Sequence, residues 1–378
     1  MSPAPPGRST DVPRLRVAVV APSLDILGGQ AVQANRLLRA WRDDPDVEAW
    51  LVPVNPVPPG VLRHLRSVKY ARTVATLLTY FPLLVRELSR ADVAHVFAAS
   101  YTSFLLAPLP AMILARAFRK PILLNYRSGH APNHLKKSAI TRRALAAADL
   151  NIVPSRFLVE VFARFGIAAQ TIPNIVDLDR FSYRERVPLR PHLLSTRNHE
   201  GLYNVACTIR AFRIVQNRWP DARLTLVGGG PETAALGRLV AELGLRNVTF
   251  LGRIDPNNIS EVYAASDIYI QSPNIDNMPT SVVEAFACGL PVVSTMAGGI
   301  PAILTSGVHG LLAPLDDHES LAAHVLTLLE RPDYARQLAR AAFATCERCT
   351  WPAVRDQWLR AYRSVTPVHR IVCEPSHV

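Results

Sequence analysis

The stretch LRVAVVAPSLD (residues 15–25) is followed by GGQ (28–30) and by AVQANRLLRAWR (31–42). The first is a short β-branched and apolar run closed by a turn, the pattern of a strand buried on both faces of a parallel sheet. The last spaces its apolar residues as a helix does. The same alternation returns through VEAWLVPV (47–54), ADVAHVFAAS (91–100), KPILLNYR (120–127) and ADLNIVPS (148–155). Strands alternating with helices make a doubly wound α/β sheet. A second series runs through RPHLLSTRN (190–198), ARLTLVGGG (222–230), NVTFLGRI (247–254), SDIYIQSP (266–273) and LPVVSTMAGG (290–299). Helical stretches 204–219 and 231–245 lie between its members. The expectation is two Rossmann-like domains, 1–187 and 188–350, facing each other across a cleft. The charged, Pro-containing RERVPLR (184–190) serves as linker. The amphipathic WPAVRDQWLRAYRSV (351–365) predicts a C-terminal helix within a segment, 351–378, that packs back on the first domain.

With 378 residues, 49% hydrophobic and 19% charged, the composition is globular rather than disordered. No apolar run approaches the roughly 18 residues of a spanning helix. MSPAPPGRST (1–10) lacks the basic-then-apolar order of a secretory signal. Five cysteines scattered over this length make no disulfide framework, so a cytoplasmic setting is expected. The lone pair Cys346 and Cys349 is read as structural rather than metal-binding.

Charge is divided unevenly. Residues 1–190 hold 26 of the 42 basic and 13 of the 30 acidic residues, a net of +13, and the remainder holds 16 and 17, a net of −1. A phosphate-bearing partner is drawn to the first half. Nucleic acid is disfavoured, because the basic residues are dispersed with no aromatic-studded motif. Segment 62–90 mixes Arg and Lys with Leu, Tyr and Phe. It fits an anionic bilayer, at the inner face of the plasma membrane, and equally a core helix with a solvated basic face. The Pro-broken run 104–118 is expected to be a buried helix.

Ligands of doubly wound sheets bind outside the C-terminal strand ends, so the loops there carry the chemistry. Gly28 and Gly29 follow the first strand and open a helix, which lets an anion approach backbone N–H groups. VGGGPE (227–232) starts like a dinucleotide fingerprint but has Thr233 where the third glycine belongs, so NAD is disfavoured. The most informative loop is SPNIDNMPTSVVEAFACGLPVVST (272–295). Pro279 suits a first helical turn, and Thr280 and Ser281 put free N–H groups and hydroxyls at the positive helix end, where phosphate binds. Glu284 lies about 6 Å further along and suits ribose hydroxyls. Read singly, Asp276 is a turn former, while for Glu284 a solvated helix residue is the alternative to ribose binding.

Taken together, these stretches resemble a retaining glycosyltransferase of family 4, with the GT-B fold, over almost the whole chain. The carboxylates Asp276 and Glu284, with seven residues between them in DNMPTSVVEAFACGLPVVST, carry the likeness. IVPSRFL (152–158), IPNIVDLDRF (172–181), LTLVGGGPE (224–232), VTFLGRID (248–255), GGIP (298–301) and GLLAPLDD (310–317) support it by order and spacing. The resemblance implies transfer of a sugar from a nucleotide-diphosphate sugar to a saccharide or lipid-linked acceptor, in envelope polysaccharide or glycolipid synthesis. It implies no cofactor and no metal. Glu284 would bind the donor's ribose and Asp276 its sugar. Pro279, Thr280 and Ser281, with Gly29, would touch the diphosphate, while Arg253 and Ile254 would line the base through their backbone. Arg197 would neutralise the leaving diphosphate. His130 is the first-domain histidine of the pattern, with His134 second. The chain departs from the family at three places. Asp276 stands for the usual Glu, Ala302 for the acidic residue after GGIP, and Tyr203 for a lysine that Arg210 or His199 would have to replace. That last change keeps open a catalytically impaired binding or scaffold subunit, and the shared architecture keeps open a nucleotide-sugar epimerase, which would release free epimerised sugar without an acceptor.

Overall fold

The computed structural model describes residues 14–25, 28–57 and 69–366. The first series contains β1 (Leu15–Ala21), α1 (Gly29–Trp41), β2 (Val47–Pro53), α2 (Lys69–Arg90), β3 (Val93–Ala98), α3 (Thr102–Leu106) and α4 (Pro108–Ala117). It continues with β4 (Ile122–Tyr126), α5 (Ala131–Lys137), α6 (Ala139–Ala146), β5 (Leu150–Val153), α7 (Arg156–Ala163) and β6 (Gln170–Thr171). The second contains β7 (His192–Thr196), α8 (Val205–Arg218), β8 (Arg223–Val227), α9 (Thr233–Glu242), β9 (Val248–Gly252), α10 (Ile259–Ala265) and β10 (Ile268–Gln271). It ends with α11 (Thr280–Ala287), β11 (Val292–Thr295), β12 (Leu311–Ala313), α12 (His318–Glu330), α13 (Pro332–Phe343) and α14 (Trp351–Val365).

Two six-stranded sheets result, in the orders β2-β1-β3-β4-β5-β6 and β12-β11-β10-β7-β8-β9. β1 runs parallel to β2 and β3, and β7 runs parallel to β8 and β10. The central strands are mostly apolar because helices cover both faces of such a sheet, and the polar residues His95, Asn125, Ser195 and Gln271 within them are buried. In the second sheet Leu193, Leu224, Leu226, Ile268, Ile270 and Val293 share one core with α8 and α12. Leu194, Tyr269 and Val292 share the other with α11. The direction of winding reverses between β7 and β10, the switch point where ligands of such sheets bind.

Internal contacts group the described chain into two units. One takes residues through Asn125, Arg143–Asn151 and the chain from Asp356 on, and the other takes Tyr126–Arg142 and Ile152–Arg355. Within the first unit, α14 closes on β3. The ring of His95 lies 5.0 Å from that of Trp358, and its Nδ1 is 2.9 Å from the Tyr362 hydroxyl. The run 104–118 is not one buried helix: it breaks at Pro108 into α3 and α4, and Leu105, Leu106 and Ile113 are exposed. Cys346 and Cys349 sit buried in a 3-10 turn, and burial pushes their thiols up to about 12 and about 11. Cys346 Sγ packs 3.7 Å from the Val283 carbonyl behind α11, consistent with a structural role.

Candidate active site

Arg197 is the first residue beyond β7, and Asp276 lies in the loop beyond β10, so adjacent strands deliver both to the switch point. Their side chains pair directly, Arg197 Nη2 donating to Asp276 Oδ2. Arg197 Nη1 donates to Ser281 Oγ at 3.1 Å, at the start of α11. The guanidinium carbon lies 4.0 Å from the centre of the Tyr203 ring. Burial is the largest single effect on Arg197 and works against its charge, but Asp276, Tyr203, Tyr269 and Tyr263 together outweigh it and hold the group above its ordinary pKa. It is a permanent cation.

Glu284 is only 8% exposed, not a solvated helix residue. Its Oε2 is 3.2 Å from the hydroxyl of Tyr263, a fully buried residue of α10. The same hydroxyl is 2.8 Å from Thr196 Oγ1 and 3.2 Å from the Ser281 carbonyl. Burial and then the carboxylate of Glu284 push the Tyr263 phenol well above its usual range, so it stays protonated and donates. Hydroxyls thus tie together the ends of β7, α10 and α11, with Arg197 at one side and Glu284 at the other. Pro279 caps α11 with extended backbone (φ −66°, ψ 119°) rather than occupying its first turn, and Thr280 begins the helix.

The loop bearing Asp276 is held on several sides. Asp276 Oδ1 accepts from Asn277 N at 2.8 Å, and Asn277 Oδ1 accepts from Ser155 Oγ. The Met278 carbonyl accepts from Asn174 Nδ2 at 2.7 Å. The GGIP stretch cradles this loop. A Cβ on Gly298 would lie 2.1 Å from the Asp276 carbonyl oxygen, and one on Gly299 2.1 Å from that of Asn277. Gly129 also packs here, its Cβ position 3.2 Å from the Asp276 carbonyl carbon, which brings the His130 turn to the Asp276 loop. His134 is buried in α5 between the Tyr126 hydroxyl at 2.9 Å and Thr141 Oγ1 at 3.0 Å.

Two glycines of VGGGPE are required by close backbone approach. Cβ positions on Gly228 and Gly230 fall 2.2 Å from the Arg197 carbonyl oxygen and 2.3 Å from that of His199, so the β8–α9 loop closes directly on the Arg197 backbone. Exposed Arg253 lies along Gly229, and half-buried Ile254 packs against the core around Tyr263 and Phe286. Neither substitute for the missing lysine stands beside Arg197 as a cation. His199 is buried with Nδ1 on Thr233 Oγ1 at 2.8 Å, and burial lowers its pKa, while Arg210 is exposed on α8. Gly28 caps α1 with extended backbone, and the Cβ positions of Gly28 and Gly29 have no heavy atom within 4 Å. These two glycines belong to the first unit and the other candidates to the second. Tyr263, Thr196, Ser155 and Asn277 were not singled out from the sequence. Ser155 lies inside the quoted IVPSRFL, but nothing local says that it reaches Asn277, 122 residues away.

Residues 190–345 match the family Glycosyl transferases group 1, and residues 27–180 match Glycosyltransferase Family 4. The chain belongs to these glycosyltransferases. Among its curated relatives, the sulfoquinovosyl transferase SQD2 of Arabidopsis thaliana is 25% identical over 75% of this chain and 59% of its own length. A D-inositol 3-phosphate glycosyltransferase of Saccharomonospora viridis is 28% identical over 64% of this chain and 62% of its own. The chain therefore spans about three-fifths of these two relatives. The phosphatidyl-myo-inositol mannosyltransferase of Mycobacterium tuberculosis is 25% identical over 93% of this chain and 97% of its own. In fold, the chain resembles Anabaena Alr3699/HepE, solved with UDP and glucose, at a TM-score of 0.73 and 18% identity, covering 93% of this chain and all of that one. It also resembles a sucrose-phosphate synthase from Thermosynechococcus elongatus, at 0.72 and 20% identity, covering 93% of this chain and 98% of that one. This is the two-sheet GT-B fold expected from the sequence.

Proposed function

We propose that the protein transfers a sugar from a nucleoside-diphosphate sugar to an acceptor hydroxyl, with retention at the anomeric carbon and without a metal. The observation that carries the reading is the convergence of Arg197, Asp276, Ser281 and Glu284 at the β7–β10 switch point. Arg197 and the α11 N-terminus stabilise charge developing on the leaving diphosphate. Glu284, held by Tyr263, binds the ribose hydroxyls. Asp276 binds the sugar, and His130 lies at the same loop. The carbon–oxygen bond to phosphate breaks, the acceptor oxygen bonds to that carbon on the same face, and its proton passes to a phosphate oxygen. Arg197 supplies the cation that this departure demands, and Asp276 is already paired with it.

The test is thermal unfolding with UDP, GDP and ADP, followed by donor hydrolysis. One nucleotide is expected to stabilise the fold by about 2.7 kcal/mol at a hundredfold excess over Kd. Glu284→Ala is expected to cut hydrolysis roughly tenfold to a hundredfold. No stabilisation by any of the three at saturation sinks the reading. Measurable hydrolysis by the unmodified protein excludes an impaired binding subunit.

The acceptor we propose is lipid-linked and met at an anionic membrane surface, in envelope polysaccharide or glycolipid synthesis at the cytoplasmic face. No helix among the described residues is long and apolar enough to cross a membrane. What supports surface contact is α2, which is apolar on two faces. Ala75, Tyr80, Leu84 and Leu88 are buried, whereas Val74, Leu78, Phe81 and Val85, about one turn apart, are exposed. Arg86 and Arg90, on the same helix, are exposed at 77% and 51% of their side chains and both pair with Glu87. The part of segment 62–90 before Lys69 lies outside the described residues. Flotation with phosphatidylglycerol-rich vesicles at low salt is expected, and its loss in Leu78→Asp/Phe81→Asp with an unchanged melting temperature. If the unmodified protein stays at the bottom of the gradient, the stripe does not face a membrane.

A further inference from the structure

We propose that Tyr203 is a positioning residue that holds the Arg197 guanidinium in the orientation the leaving diphosphate requires. The proposal rests on the reading of Arg197 as the diphosphate cation. Tyr203 ends a 3-10 turn whose geometry is fixed from three directions. Its N–H donates to the Glu200 carbonyl at 2.9 Å. Asn204 follows in the left-handed conformation (φ 43°) and caps α8 by accepting from Cys207 N at 3.3 Å. The Leu202 carbonyl accepts from Asn274 N at 2.9 Å and from Ile275 N at 3.2 Å, which stitches the turn to the loop that carries Asp276. The ring is therefore placed by backbone bonds to the same loop as the carboxylate, not by its own packing alone.

The guanidinium is met in two ways. Asp276 and Ser281 accept from its Nη groups, and Tyr203 covers a face with its ring centre 4.0 Å from the guanidinium carbon. Asp276 and Ser281 take one N–H each from Nη2 and Nη1, and the buried Nε has no partner among the described residues, so N–H groups remain for a phosphate. The ring takes none of them, so its contact leaves those donors available. The negative ring face attracts the cation, and the ring bulk keeps water from that side, which strengthens the field at a phosphate. Tyr203 itself stays neutral: burial raises its phenol pKa and outweighs the opposing effect of Arg197. It does not act as a second charge but makes the one cation more effective.

The readout is the preference for a diphosphate over a monophosphate, measured by calorimetry with UDP against UMP, and with the GDP–GMP and ADP–AMP pairs, alongside kcat and KM for donor hydrolysis. Tyr203→Leu is expected to narrow that preference about tenfold and to lower kcat about tenfold, with monophosphate affinity and KM little changed. Tyr203→Phe, which keeps the ring, is expected to recover most of the loss. A Tyr203→Leu protein that weakens both nucleotides equally, or keeps the full diphosphate preference, overturns the proposal. Should Tyr203→Leu fail to fold by circular dichroism, Tyr203→Met decides by the same comparison. Arg197→Ala separates the two levels. If it collapses the preference while the Tyr203 variants do not, only the role of Tyr203 falls. If it leaves the preference intact, the assignment of Arg197 to the diphosphate falls as well.

Discussion

Arg197→Ala is expected to lower kcat for donor hydrolysis about a thousandfold, the upper end of what loss of one preorganised donor at a developing anion costs. The effect is large for two reasons. The residue is the cation beside the α11 N-terminus, so its removal leaves that helix end alone to meet the departing diphosphate. Its removal also leaves Asp276, at 12% side-chain exposure, without its counter-ion. Arg197→Lys keeps the charge but cannot serve Asp276, Ser281 and the Tyr203 face together, so partial recovery is expected. The two causes separate in a double-mutant cycle with Asp276→Asn, because neutralising Asp276 relieves the second cause and not the first. The measurement is single-turnover hydrolysis with the melting temperature recorded for each variant. Activity of Arg197→Ala within tenfold of the unmodified protein would remove Arg197 from the mechanism.

Gly228→Ala is expected to destabilise the fold by about 3 kcal/mol or more, while Gly229→Ala next to it stays within about 1 kcal/mol. Gly228 has φ +137°, a conformation that residues with a side chain rarely adopt, and its Cβ would lie 2.2 Å from the Arg197 carbonyl oxygen. Backbone sits on both sides of that clash, so no side-chain rotation relieves it. Gly229 is the control: its Cβ would meet only Arg253 side-chain atoms, at 3.5 Å, an ordinary contact. Gly230→Ala repeats the Gly228 problem against the His199 carbonyl at 2.3 Å. Urea midpoints at constant slope give the order. Equal costs across the three glycines would show that the loop does not close on the Arg197 backbone as described. Gly228→Ala protein that remains folded is expected to lose activity as well, since the atom it displaces belongs to Arg197.

The three glycines show how far a motif can be read without its surroundings. From the sequence, VGGGPE fails as a dinucleotide fingerprint, and that negative reading stands without explaining why glycine is needed. The need comes from the backbone at 197–199, carried there by β7 lying beside β8. GGIP behaves likewise: its glycines answer to the Asp276 and Asn277 carbonyls. Tyr203 was legible only as a missing lysine. Its ring against Arg197 depends on a turn bonded to residues 274 and 275, which no local pattern records.

The sequence alone determined the two βα series and the identity of the loop carrying Asp276 and Glu284. Apolar runs, helical spacing and turn residues report local conformation and the demand for burial, and both act over a few residues. Tertiary structure alone decided which charged groups meet. Arg197 finds Asp276 and Ser281 across 79 and 84 residues of chain, and Tyr263 finds Glu284 across 21. Those meetings follow from β10 lying beside β7, a strand order set by how helices cover both faces of the sheet rather than by any spacing along the chain.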